Sequence, residues 1–114
     1  MNIKIYNYKT LLSEVIYNSD DDITVKVYDK TSIFQPFKEG KINKNTLYEF
    51  LKDRSFDESR PDLNELLAAL KLSEYDPLEI TKKTHGIILS DFTWLKFDNE
   101  NVEWEDFNEL YRHR

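Results

Sequence analysis

Six carboxylates fall within twelve residues toward the end of this chain: Asp98, Glu100, Glu103, Glu105, Asp106 and Glu109, interleaved with Trp104 and Phe107. Such a set suits two chemistries, binding of a hard cation or docking on an Arg/Lys-rich surface. The first is not supported by spacing. An EF-hand loop needs a central glycine and a bidentate glutamate at its twelfth position. Neither "DNENVE" at 98–103 nor the acidic turn Asp20, Asp21, Asp22 contains that glycine. No metal and no cofactor is expected. Two readings of the acidic segment then stand side by side. It is a solvated face around two core aromatics, or it is an acidic patch with an aromatic anchor that docks on a basic protein. Spaced carboxylates can also imitate a phosphate backbone, and the Asp20–Asp22 turn could extend such a patch.

Other reactive groups are few. His85 and His113 are the only histidines, and neither lies in a recognisable nucleophile or base motif. His85 precedes a helix-stop glycine, where a histidine commonly serves the C-terminal dipole. There is no cysteine, which removes thiolate nucleophiles, disulfides and Cys-type zinc sites and suits a reducing cytoplasm. Gly40 and Gly86 alone cannot form a glycine-rich phosphate loop. The chain therefore reads as non-enzymatic. In "FLKDRSFDESRPDL" the basic residues sit among acidic ones, so ion pairing is the default. Arg54 and Arg60 flank a loop there and form the one candidate anion-binding corner.

The net charge of −6 concentrates toward the C-terminus, where residues 86–114 carry three bases and seven acids. A direct nucleic-acid binder would show a basic face instead. The balance fits a basic protein partner, or occupancy of a nucleic-acid groove on another protein. No stretch approaches the length of a membrane span, and "MNIKIYNYKTLLSEV" lacks a signal-peptide core. A soluble cytoplasmic protein is expected.

The elements that must position these groups read as one α+β domain over residues 1–114. Residues 1–42 are mainly β: "IKIYNY", "LSEVIYN" and "ITVKVYD" are β-branched and aromatic, with "NSDDD" as the turn of a hairpin. "SIFQPFKEG" adds an edge segment at most, because Pro36 cannot donate within a ladder. Residues 46–86 are helical, in three short helices. Thr46 and Glu49 suggest a capping box, and Ser59, Pro61 and Asp62 suggest a second start. Leu63, Leu66, Leu67 and Leu70 then form a core-facing stripe. Asp76, Pro77, Glu79 and Gly86 delimit the third helix. Residues 87–114 give a strand, "FTWLKF", expected at the centre of the sheet, then an acidic helix beginning near Val102.

Three passages carry a resemblance: "LYEFLKDRSFDESRPDLNELLAALKL", "YDPLEITKKTHGIILSDFTWLKF" and "VEWEDFNEL". Over residues 47–110 the chain resembles small phage and plasmid proteins of low-GC Gram-positive bacteria. It also resembles the module preceding the kinase domain in some HipA-like proteins. The features that carry it are Arg54, Arg60, Gly86, Ser90-Asp91 with Trp94, and Trp104-Glu105-Asp106. Phe92 and Thr93 depart from the polar-aromatic pair expected before Trp94. The chain stops where a catalytic domain would begin, so the resemblance implies an accessory module without kinase activity. It implies protein–protein regulation: inhibition of a host defence such as a CRISPR nuclease, or neutralisation of a kinase-like toxin. The expected contacts are Asp98, Glu100, Glu103, Trp104, Glu105, Asp106 and Glu109. Arg54, Arg60 and Asp20–Asp22 are secondary candidates.

Overall fold

A computed structural model describes residues 1–107 of this chain. It is an α+β fold built on a five-stranded antiparallel sheet. The strands are β1 (Asn2–Asn7), β2 (Thr10–Ser19), β3 (Asp22–Val27), β4 (Gly40–Ile42) and β5 (Thr93–Phe97), in the order β4-β3-β2-β1-β5. Alternation assigns the faces. Ile3, Ile5, Val15, Ile23, Val25, Leu95 and Phe97 line one face and are buried against Leu47 and Leu51. Those two leucines come from α1 (Lys44–Asp53), which packs beside α3 (Pro77–Thr84). The shorter α2 (Leu63–Ala69) lies between them in sequence. Among the described residues, no helix is long and apolar enough to cross a membrane.

The expected hairpin forms between β2 and β3, and the expected third helix begins with Asp76 capping Leu78 N at 3.1 Å. The other two helix starts are corrected. Asn43, not Thr46, caps α1: its Oδ1 accepts from Thr46 N at 2.8 Å. Ser59 turns back on Asp57, with N and Oγ both 2.8 Å from Asp57 Oδ1, so it caps nothing. The helix instead opens after Asp62, whose carboxylate is already held by Arg60 and makes no cap hydrogen bond. Of the leucine stripe, only Leu67 is buried; the rest are half-buried because α2 is short. The segment around Pro36 stays a loop, and strand pairing resumes only at Gly40. The C-terminal helix appears as a 3-10 turn over Trp104–Phe107; Leu110 and Tyr111, on which the helical reading also rested, lie outside the described residues.

The larger correction concerns β5. It is an edge strand, not the central one. Its apolar character comes from burial of both faces, Leu95 and Phe97 in the main core and Trp94 in a second aromatic cluster, while the outer side of its ladder is closed by groups from outside the sheet. Thr93 N donates to Asp91 Oδ1 (3.1 Å), Leu95 N to the His85 carbonyl (2.8 Å) and Phe97 N to Glu100 Oε1 (2.7 Å). The Thr93 carbonyl accepts from Arg54 NH2 at 2.8 Å. An edge so plugged offers no row of free donors and acceptors to another chain.

The opposite face of the sheet carries a cross-strand row Lys96, Lys4, Glu14, Lys26. Glu14 is buried there and accepts from Asn2 Nδ2 (2.9 Å) and the Tyr28 hydroxyl (3.0 Å). Burial, then this hydrogen bond and the Glu14 charge, push Tyr28 above its ordinary pKa of 10.0. A group raised in the folded state contributes stability that is present below the unfolded pKa and lost as pH rises through the folded value. An absorbance titration should find Tyr28 ionising above pH 10, with Glu14→Gln bringing it down. A Tyr28 titration unmoved by Glu14→Gln would contradict the contact.

Candidate functional site

The acidic segment leaves β5 at Asp98 and runs back over this second face. Each described carboxylate on it meets the chain itself. Asp98 Oδ1 accepts from Asn2 N at 2.9 Å, which closes the start of β1. Glu100 Oε1, besides stopping β5, lies 3.6 Å from His85 Nδ1. Glu103 Oε1 accepts from Lys96 Nζ at 3.0 Å, and Asp106 Oδ2 caps the 3-10 turn by accepting from Glu103 N at 2.8 Å. Glu105 Oε1 meets Lys9 Nζ at 3.0 Å. That hydrogen bond lowers the Glu105 pKa and raises that of Lys9. Glu109 lies outside the described residues.

Beneath the carboxylates is an aromatic cluster. Trp94 stacks on Tyr6 with ring centroids 4.4 Å apart, and its Nε1 donates to the Tyr8 carbonyl at 2.7 Å. Trp104 and Phe107 are buried against this pair, with Phe107 5.3 Å from Trp94. Lys96 covers the Tyr6 and Trp94 rings at 5.3 and 5.8 Å, so its pairing with Glu103 is backed by cation–π contact. The turn is thus seated by rings as well as charge.

Two aromatics here remain at the surface. Tyr8 (48% exposed) and Phe92 (44%) approach Trp104 edge-on, at 4.9 and 5.7 Å. Glu103 and Glu105 each give one oxygen to a lysine and keep side chains 62% and 65% exposed. An exposed aromatic pair over a buried tryptophan, rimmed by half-used carboxylates, has the make-up of a binding hot spot for a basic surface. Sequence reasoning missed Tyr8, Lys9, Phe92 and Lys96. The only local signal was the two-residue Tyr8-Lys9 turn between two strand patterns.

No family model, curated protein or solved structure matches this chain. What the site can do is therefore decided by its own geometry.

The secondary candidates separate from this face. Arg54 is buried, and its guanidinium binds Asp91 through both NH1 (2.7 Å) and NH2 (2.9 Å) and donates from Nε to the Gly86 carbonyl (2.8 Å). It joins α1 to β5, and little of it is left for an incoming anion. Arg60 holds Asp62 through Nε and NH2, both at 2.9 Å. The Asp20–Asp22 turn sits at the far end of β2 from Tyr8, roughly 30 Å along a ten-residue strand, so it does not extend the Trp104 patch. His85 ends α3 in a left-handed conformation (φ 57°), its ring Nδ1 3.2 Å from the Leu95 carbonyl. His113 lies outside the described residues. Among the described residues, no three His, Cys, Asp or Glu gather as a metal site.

Proposed function

We propose that this protein is a non-catalytic regulator that binds and inhibits a protein partner through the face made by Tyr8, Phe92, Trp104, Glu103 and Glu105. The observation that carries the reading is the exposed Tyr8–Phe92 pair on Trp104, set beside the exposed carboxylates of Glu103 and Glu105. The partner is a cytoplasmic protein with an Arg/Lys-rich surface. A nucleic-acid-handling defence complex of the CRISPR nuclease kind fits best, because exposed carboxylates on an acidic chain can compete for a basic groove. The resemblance to mobile-element proteins points the same way. The alternative is an antitoxin-like module for a HipA-like kinase. Such a module would bind through the apolar face or the Arg54/Arg60 corner, and of these the corner is less favoured because both guanidinium groups are engaged within the fold.

The test is inhibition of guided DNA cleavage by purified CRISPR nucleases at low and high salt. Inhibition should be stoichiometric and weaken with salt. Glu103→Lys with Glu105→Lys should weaken it by at least about tenfold. Loss of the exposed Lys9–Glu105 pair costs little stability, and Glu103→Lys costs more because its partner Lys96 is only 11% exposed. Tyr8→Ala should lose about 2 kcal/mol of binding. Full inhibition by the charge-reversed, folded variant would sink this reading. Rescue of growth from a kinase toxin, insensitive to salt, would transfer it to the alternative.

A further inference from the structure

The second face of the sheet carries one arrangement twice, a lysine held between a carboxylate and an aromatic ring. In the first, Lys96 Nζ lies 3.0 Å from Glu103 Oε1 and over the Tyr6 and Trp94 rings, and its side chain is only 11% exposed. That lysine is locked in place. In the second, Lys9 Nζ lies 3.0 Å from Glu105 Oε1 and 5.5 Å from the centroid of the Tyr8 ring, with side chains 55% and 65% exposed. The notch favours positive charge: the hydrogen bond and charge of Glu105, then Tyr8, raise the Lys9 pKa. Exposed pairs nevertheless hold weakly, so the Lys9 side chain can swing into water at little cost.

The walls that Lys9 would leave do not follow it. β1 and β2 pair through Asn7 and Thr10, so Tyr8 and Lys9 are the whole turn between them. Tyr8 has φ +56°, an uncommon conformation for a bulky residue, and two hydrogen bonds hold it there. Its N–H donates to the Phe92 carbonyl at 2.9 Å, and its carbonyl accepts from Trp94 Nε1 at 2.7 Å. The Tyr8 ring also rests edge-on against Trp104. Glu105 belongs to the 3-10 turn that Trp104 and Phe107 anchor by their burial. A fixed ring and a fixed carboxylate with a loose lysine between them make a receptor for a cationic side chain, and Lys9 marks where its charge sits. The surroundings suit a guanidinium better than an ammonium. A planar fork can lie on a ring while donating two N–H groups to a carboxylate, whereas an ammonium is a point charge.

We infer, resting on the docking role given to this face, that the notch between Tyr8 and Glu105 receives an arginine side chain of the partner protein, and that Lys9 is a built-in placeholder competing for the same position. Lys9 thus weakens docking twice over. The incoming arginine must displace it from Glu105, and meets its like charge while doing so. Lys96 plays no such part, because its ammonium is covered and its two rings belong to the core cluster.

Amide spectra of the intact chain, titrated with N-acetyl-arginine amide, test this without any partner. In Lys9→Gln the Tyr8, Thr10 and Glu105 signals should move saturably, with a midpoint about threefold or more below that of the parent. Lys26→Gln removes the same charge from an exposed site elsewhere on the sheet and should titrate as the parent does. N-acetyl-citrulline amide, of similar shape without the charge, should leave these signals in place. N-acetyl-lysine amide should bind more weakly than the arginine probe. Adding Glu105→Gln to Lys9→Gln should abolish the response, and both sites are exposed, so these variants should fold as the parent does. Equal midpoints for Lys9→Gln and the parent overturn the placeholder. Shifts spread over the whole surface, or an equal response to citrulline, overturn the notch, and a lysine probe bound as tightly as arginine overturns the guanidinium assignment. Arginine binding without inhibition of any nuclease upholds the notch and sinks the choice of partner; inhibition by a chain whose notch ignores the probe does the reverse.

Discussion

Replacing Arg54 with alanine should cost about 3 kcal/mol of folding stability, the low end of the range for breaking a buried ion pair. The low end applies because Asp91 stays one-third exposed (33%) while the Arg54 side chain is at 8%. Water can therefore re-solvate the carboxylate, but not the Gly86 and Thr93 carbonyls that Arg54 also serves at 2.8 Å each. A buried acceptor left without a donor costs about 1–3 kcal/mol. Against a total stability of roughly 5–15 kcal/mol, this is a large share. Urea unfolding should show a lower midpoint with an unchanged slope. Arg54→Lys should recover little, since one ammonium cannot span Asp91, Gly86 and Thr93 in a planar fork. A loss below about 1 kcal/mol would mean that α1 and β5 hold together without this guanidinium.

The same residue marks the boundary of what could be read without coordinates. Patterns carried by neighbouring residues were legible: the β2–β3 hairpin, the Asp76-Pro77-Glu79 start of α3, the β-character of residues 93–97 and the α+β class. Patterns closed through space were not. Arg54 meets Asp91 across 37 positions, and β5 finds β1 across about ninety. Nothing local distinguishes an arginine bound for a buried fork from one that pairs in solvent, as Arg60 does with Asp62.

The starts of α1 and α2 were missed for a related reason. Asn43, Thr46 and Glu49 each offer a capping pattern, and only the actual course of the chain decides which side chain reaches an orphan N–H. At Asp62 the competing partner was Arg60, two residues away.

The acidic segment illustrates the limit best. Composition presents Asp98, Glu100, Glu103, Glu105 and Asp106 as one patch. The fold gives them different roles. Asp98, Glu100 and Asp106 close backbone N–H groups, whereas Glu103 and Glu105 pair through one oxygen each with lysines. The proposed docking role is given to the last two because their partners are exposed side-chain charges or the aromatic cluster rather than the backbone. Charge density alone could not make that division, because a capping carboxylate and a docking carboxylate are the same residue type.

Gly86→Ala is expected to be nearly as damaging as loss of Arg54, by a different route. Gly86 holds φ at +64°, a region that costs an L-residue roughly 1–2 kcal/mol. A methyl there would stand 2.9 Å from Leu95 Cγ and Cδ1 and 3.4 Å from Arg54 Cβ. Leu95 is fully buried in the sheet core, so it cannot swing away, and overpacking of this kind costs about 1–3 kcal/mol. The stiffer unfolded chain returns about 0.4–1 kcal/mol, leaving a net loss of roughly 1–5 kcal/mol, near 3 at mid-range. Gly40→Ala is the control. Gly40 also has positive φ (+123°), yet nothing lies within 4 Å of its added methyl, so it carries backbone strain without the clash. Because φ +123° strains an L-residue more than the left-handed helical region at +64°, any excess loss at Gly86 over Gly40 is a lower bound on the steric part. Amide exchange gives a local readout, because the Leu95 N–H bonds the His85 carbonyl beside the substitution. Its protection should fall more than that of Ile5 on β1, opening the edge of β5 before the sheet itself unfolds.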